Sequence, residues 1–316
     1  MMNSLSLTRR DLATAASAAA AAAMLPFSAH GAATPWPIGS HTRPFGTLRL
    51  SQDAMLDAIK AAGYQSADFI GIGGGRNAAS ATLEALAALK AKLAVRGLKS
   101  NVGNLTVRTG VPLADSVAAA RQQITDAHAL GQKFMLSLGI TQEKLFVDYC
   151  KVMSDAAAFG QERGVQIVIK CHGGLQTWTG ELLGFVAQIN HPNFGIFFDP
   201  GNVIYYTGLD PLVQLEMIAP RVTGVIAKDC TGPQFKLCKA GDPGFGAGPP
   251  NQGGNEVMIQ LGTGKVDFLG MFRKLKAAGF NGPIVVEGGA AGATVQATTD
   301  NARANREFLE KVIAQV

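Results

Sequence analysis

The chain is poor in the residues from which most metal and redox centres are made. It carries five histidines and four cysteines in 316 residues. Cys150, Cys171, Cys230 and Cys238 form no CxxC pair, which argues against a cysteine-rich zinc site. No GxGxxG follows the first predicted strand. Gly71-Ile72-Gly73-Gly74-Gly75 comes nearest and reads better as a flexible loop, so a dinucleotide-binding fold is disfavoured. A Walker-type phosphate loop is also missing. Basic residues are scattered, the net charge is only +5, and no basic stripe is interleaved with aromatics, so nucleic acid is not a predicted partner. Beyond the N-terminus no apolar run approaches the roughly 20 residues that span a bilayer. No membrane association is therefore expected once that N-terminal segment has gone.

The N-terminus has the layout of a targeting segment. Leu7-Thr8-Arg9-Arg10-Asp11-Leu12 puts paired arginines ahead of an Ala-rich, weakly apolar run that ends near Leu25-Pro26. Small residues follow at Ser28-Ala29-His30-Gly31-Ala32-Ala33, where a signal peptidase could cut. That order resembles a twin-arginine (Tat) export signal and predicts a periplasmic protein. An ordinary Sec signal is the other reading. Residues 1–33 are set apart on this basis, and residues 34–316 form the predicted domain. In an oxidising compartment Cys230 and Cys238 could pair across a loop, or all four cysteines could stay as thiols. The oligomeric state is left open.

The remaining chain alternates two periods. Apolar β-branched or aromatic runs are predicted as strands at 36–41, 67–71, 98–105, 133–138, 165–170, 194–199, 222–227 and 283–287. Segments with helical spacing fall at 51–62, 79–96, 113–130, 142–163, 179–189, 212–218, 267–278 and 300–314, and most end at a glycine. Eight βα units in series predict a single-domain α/β protein, a (β/α)8 barrel. A Gly/Pro-rich run from Asp229 to Gly264 has no apolar period, and loops of that length in compact domains are usually lids or binding elements.

The most telling stretch is Val165-Gln166-Ile167-Val168-Ile169-Lys170-Cys171-His172-Gly173-Gly174, an apolar strand that ends abruptly in ionisable groups. Two later strands end in the same way, at Asp199 and at Glu287. In a barrel of this kind the C-terminal strand ends face one another across a mouth. Lys170, Asp199 and Glu287 are therefore expected to meet there. His172 and Lys228 join them as candidate catalytic residues, and His41, Asn104, Asn202 and Asp229 as candidate substrate-binding residues. Asn101 and Ser137 also fall at strand ends. Acids, lysines and a histidine at one mouth suit proton transfer, the bland alternative being a ring of rim ion pairs.

Asp199-Pro200-Gly201-Asn202, Ala227-Lys228-Asp229, Leu261-Gly262-Thr263-Gly264-Lys265-Val266-Asp267-Phe268 and Gly282-Pro283-Ile284-Val285-Val286-Glu287-Gly288 resemble, in that order, the xylose-isomerase-like TIM-barrel proteins. This is the superfamily of sugar phosphate isomerases/epimerases, ketose 3-epimerases and inosose dehydratases. The resemblance implies a carbohydrate-like small-molecule substrate and proton removal beside a carbonyl. Members usually hold one divalent cation with a Glu ending strand five, an Asp or His ending strand six, a His in strand seven and a Glu ending strand eight. The strand-six and strand-eight positions match Asp199 and Glu287. The other two fall on Lys170 and Ile226, neither of which can ligate a cation there. The expectation is a metal-independent isomerase, epimerase or lyase in which the Lys170 ammonium stands where relatives place the metal, with no cofactor. A divalent cation (Mn, Mg, Zn or Co) on Asp199 and Glu287 with other ligands, or a non-catalytic carbohydrate-binding protein, are the alternatives.

Overall fold

The computed structural model describes residues 36–71, 82–234, 255–289 and 291–316. The expected export signal, the stretch Ile72 to Gly75, Cys238 and most of the Gly/Pro-rich run lie outside the described residues. Eight parallel strands form one sheet: β1 (Ile38–His41), β2 (Ala67–Asp68), β3 (Val102–Asn104), β4 (Phe134–Ser137), β5 (Gln166–Lys170), β6 (Phe194–Phe198), β7 (Val222–Ala227) and β8 (Ile284–Val286). Their order is β2-β1-β8-β7-β6-β5-β4-β3, so the two strands at the ends of the order are β2 and β3. A parallel Ser66–Lys99 bridge and the hydrogen bond from Phe69 N–H to the Val102 carbonyl, 2.8 Å, draw those two together. The chain is thus a nearly closed (β/α)8 TIM barrel in a single domain.

A side chain completes the seam. Asp68 Oδ1 accepts from the Asn101 and Val102 N–H groups at 2.7 and 3.0 Å, and Oδ2 accepts from Ser66 Oγ at 2.8 Å. A carboxylate thereby replaces the ladder bonds that the two-residue β2 is too short to make.

Strand alternation sorts residues into two layers. Phe69, Val102, Leu136, Val168, Phe197, Ile226 and Val285 form one buried cluster inside the barrel, with Phe134 packed against it. Their neighbours, such as Ile167, Ile169, Ile196, Phe198, Val225, Ile284 and Val286, belong to the larger cluster under the helices. Each buried side chain of this size contributes about 1.5–3 kcal/mol relative to exposure.

The described helices are α1 (Arg43–Gly46), α2 (Gln52–Ala61), α3 (Leu83–Ala94), α4 (Leu113–Leu130), α5 (Phe146–Gln161), α6 (Thr179–Ile189), α7 (Pro200–Thr207), α8 (Pro211–Ile218), α9 (Phe268–Ala277) and α10 (Val295–Ile313). α1 and α7 form where no helix was expected, and α10 begins earlier than expected. The segment after Asp199, to which no helix was assigned, is a helix start despite its Pro and Gly: Asp199 caps α7 by accepting from Asn202 N–H, and Pro200 occupies the first turn, where it is tolerated. The last helix begins at Val295 rather than Asp300 because Thr294 caps it, its hydroxyl accepting from Ala297 N–H. The third strand is also shorter than the 98–105 expected. No described helix is long and apolar enough to cross a membrane.

Candidate active site

Lys170, Asp199, Lys228 and Glu287 each lie two residues beyond a barrel-interior residue: Val168, Phe197, Ile226 and Val285 respectively. The period of two sends all four to the same side. Lys170 Nζ donates to Asp199 Oδ2 at 2.9 Å and to Glu287 Oε2 at 2.6 Å. Lys228 Nζ lies 3.4 and 3.2 Å from the same two oxygens and donates to Asn202 Oδ1 at 3.1 Å. None of the four charged side chains is more than 6% exposed.

The surroundings fix this square. Asp199 Oδ1 is occupied by the Asn202 N–H of α7, leaving Oδ2 for the lysines. Asn202 Nδ2 donates to the Cys171 carbonyl at 2.8 Å, which turns Oδ1 toward Lys228. A Cβ at Gly201 would lie 2.7 Å from the Lys228 carbonyl oxygen, so only glycine lets α7 sit this close to β7. Glu287 Oε1 accepts from Arg43 Nη1 at 3.2 Å, and the Arg43 side chain is about half exposed. Arg43 was not anticipated. The available signal was its place two residues after His41, at the end of β1.

Charge separates the two lysines. For Lys170, burial opposes the charge, but Glu287 and Asp199 outweigh it and hold the pKa above the ordinary lysine value. For Lys228, burial, reinforced by Lys170, pulls the pKa below that value against the pull of Asp199 and Glu287. Glu287 is disfavoured as an anion by burial, yet Lys170 and Lys228 hold it well below the usual carboxylate range. Burial lowers His41 to about 3 and His172 to about 4, so both imidazoles are neutral near pH 7. His41 stacks on Phe69, with centroids 4.4 Å apart, and His172 lies 5.4 Å from the Tyr206 ring.

Other expected site residues are spent elsewhere. Both oxygens of Asp229 are taken by backbone N–H groups: Oδ2 by Gly262 and Gly264, Oδ1 by Cys230 and Val266. Asp229 thereby anchors the loop after β7 to the segment before α9. Ser137 has the opposite alternation to Leu136, and its hydroxyl accepts from Tyr149 of α5 at 2.8 Å. Asn104 is exposed at the end of β3, and among the described residues no hydrogen bond joins it to the four charges. Asn101 contributes its backbone to the β2–β3 seam.

The residues present do not fit a divalent cation. Ammonium nitrogens stand at both carboxylate oxygens that a cation would use, and Ile226 is a wall of the barrel interior. Among the described residues no three His, Cys, Asp or Glu side chains are placed to hold a metal.

A family model described as "Xylose isomerase-like TIM barrel" matches residues 56–312. The chain belongs to that family. It is 26% identical over 159 residues to inosose dehydratase from Geobacillus kaustophilus (strain HTA426), covering 50% of each chain. The chain thus spans about half the length of that curated relative. A xylose isomerase-like TIM barrel protein from Mycobacterium smegmatis in complex with magnesium superimposes with a TM-score of 0.66 at 15% identity, over 89% of this chain and 97% of that one. D-allulose 3-epimerase from Methylomonas sp. in complex with D-allulose gives 0.60 at 15% identity, over 90% and 99%. These likenesses establish the fold. Proteins that share this fold include ones named as 3-epimerases and as a dehydratase, and the curated relative is named as a dehydratase.

Proposed function

We propose that this protein is an exported, periplasmic enzyme that isomerises, epimerises or dehydrates a sugar, keto-sugar or glycoside by removing a proton beside a carbonyl. The observation that carries the reading is the inward quartet of Lys170, Asp199, Lys228 and Glu287 at the ends of four successive strands. In this reading Lys170 does what relatives assign to a dication, neutralising the acids and hydrogen-bonding the oxygen that becomes an enolate. When a substrate oxygen takes Lys170 from Glu287, the carboxylate loses its closest cation and becomes a better base for the α-proton. Neutral His41 and His172, and exposed Asn104, are available to sugar hydroxyls at the rim. Asn202 serves by holding Lys228.

A second reading is favoured by the burial of the quartet: a satisfied ion-pair square can be purely structural, and the protein then binds carbohydrate without turnover. A panel of keto-sugars and glycosides incubated in D2O and read by mass spectrometry separates the two. The enzyme reading expects deuterium beside the carbonyl, or a dehydrated or isomeric product, falling about 100-fold or more in Lys170→Met. Turnover undiminished by that substitution contradicts it.

A further inference from the structure

We propose that Arg43 recognises a carboxylate on the substrate, so that the ligand is a sugar acid, such as a uronate or a keto-aldonate, rather than a neutral sugar. This rests on the preceding reading that a carbohydrate enters the mouth, and it narrows the class.

Arg43 differs from the four groups it joins. The quartet side chains are at most 6% exposed, whereas that of Arg43 is 48% exposed. One end of its guanidinium reaches inward, Nη1 donating to Glu287 Oε1. The other edge, Nε with Nη2, has no hydrogen-bond partner among the described residues. The two N–H groups of that edge run parallel, a fork that matches the two oxygens of a carboxylate. The chain uses the same edge in this way elsewhere: Arg121 Nε and Nη2 donate to Asp155 Oδ1 and Oδ2 at 2.8 and 2.6 Å. The main chain beneath Arg43 is fixed. Its N–H donates to His41 Nδ1 at 2.8 Å, Thr42 donates to the Asp68 and Phe69 carbonyls, and Pro44 and Phe45 are buried. A half-exposed guanidinium on such a base has little left to order on binding.

The neighbouring acids leave the fork to a ligand. Both oxygens of Asp199 and both of Glu287 already accept from the quartet, Asn202 N–H or Arg43 Nη1. Asp68, which ends β2, and Asp229, which follows β7, are fully buried, and each has both oxygens filled. A guanidinium keeps its charge at every working pH, so the site presents a fixed cation with donors to spare. Glu287 joins this cation to the chemistry: one oxygen is on Arg43 and the other is 2.6 Å from Lys170 Nζ. A substrate carboxylate on the fork therefore sets its carbon chain beside the groups that handle the proton. One planar fork pairs completely with a planar carboxylate, whereas a phosphate leaves a third oxygen to be satisfied elsewhere.

Isothermal titration calorimetry on the full chain compares matched sugars that exchange a CH2OH group for a carboxylate. The sets are D-glucose with D-glucuronate, D-galactose with D-galacturonate, and D-fructose with 2-keto-D-gluconate; D-glucose 6-phosphate is added to the first. In at least one set the acid is expected to bind about tenfold or more tighter than its neutral partner. That ratio should fall to near one in Arg43→Met and to an intermediate value in Arg43→Lys, which keeps a charge but loses the fork. Each ratio is taken within one variant, so general damage to the site cancels. Equal affinities in every set, no acid bound, or a stronger preference for the 6-phosphate overturns the proposal. So does a preference that survives Arg43→Met or, if that variant does not fold, one unchanged in Arg43→Lys. Deuterium exchange in D2O confined to the neutral sugars overturns it while leaving the isomerase reading intact. An Arg43-dependent preference for acids with no exchange supports Arg43 and counts against turnover.

Discussion

Lys170 holds together a site that would otherwise confine two buried anions. Removing one partner of a buried, hydrogen-bonded ion network costs about 3–5 kcal/mol, because the abandoned charge cannot reach water. Lys170→Met is therefore expected to lower unfolding free energy by that amount in urea denaturation at pH 7. Wild-type stability would place the lysine outside the network. The histidines add a pH dependence of defined sign. Their pKa values are depressed on folding, to about 3 for His41 and about 4 for His172, so their contribution is present above pH 6.5 and is lost as pH falls toward 4. At this scale the chain was legible where an ionisable residue ends an apolar run, as at Lys170, Asp199 and Glu287. Lys228 was expected beside them and shares the parity of Ile226, whereas Ser137 has the opposite parity and faces Tyr149.

Between neighbouring elements, single polar groups replace regular ladders. Asp229 satisfies four backbone N–H groups that bring the segment before α9 against the end of β7. Asp229→Ala leaves these donors without an acceptor, and a loss of about 3 kcal/mol or more is expected in thermal or urea unfolding. Asp68 does the same work at the β2–β3 seam, but burial raises its pKa to about 6. A carboxyl group whose pKa rises on folding stabilises below its unfolded pKa, and that stability is lost as pH climbs through the folded value. Asp68→Asn keeps an acceptor for Asn101 and Val102 without the charge. Relative to wild type it should gain on the order of 3 kcal/mol between pH 4 and pH 7, the worth of about two pKa units. A difference that stays flat with pH would contradict the seam assignment. The eight strands and most helices were readable from their periods and glycine stops. The start of α7 was not, since Asp-Pro-Gly-Asn carries turn residues that a cap and a first-turn proline also use. The role of Asp229 was hidden for a similar reason: its Oδ2 partners are main-chain groups 33 and 35 residues away.

For the molecule as a whole, the barrel brings β5 to β8, which are successive in sequence, around one end, so charged residues as far as 117 positions apart share two oxygens. Export is expected from Arg9-Arg10 and the apolar run behind it. Residues 1–33 fused to a folded reporter should carry it to the periplasm, and Arg9→Lys with Arg10→Lys should abolish that transport; a reporter that stays inside with the native pair would refute the assignment. The substrate was not legible, because the family motifs fix the barrel and the acids while pocket walls choose among sugars. Metal content of the purified, active full-length chain, measured by inductively coupled plasma mass spectrometry, bears most directly on the exchange of a dication for an ammonium. The prediction is far less than one divalent ion per chain, with turnover unchanged by chelator. One tightly held cation per chain, whose removal abolishes turnover, would contradict it.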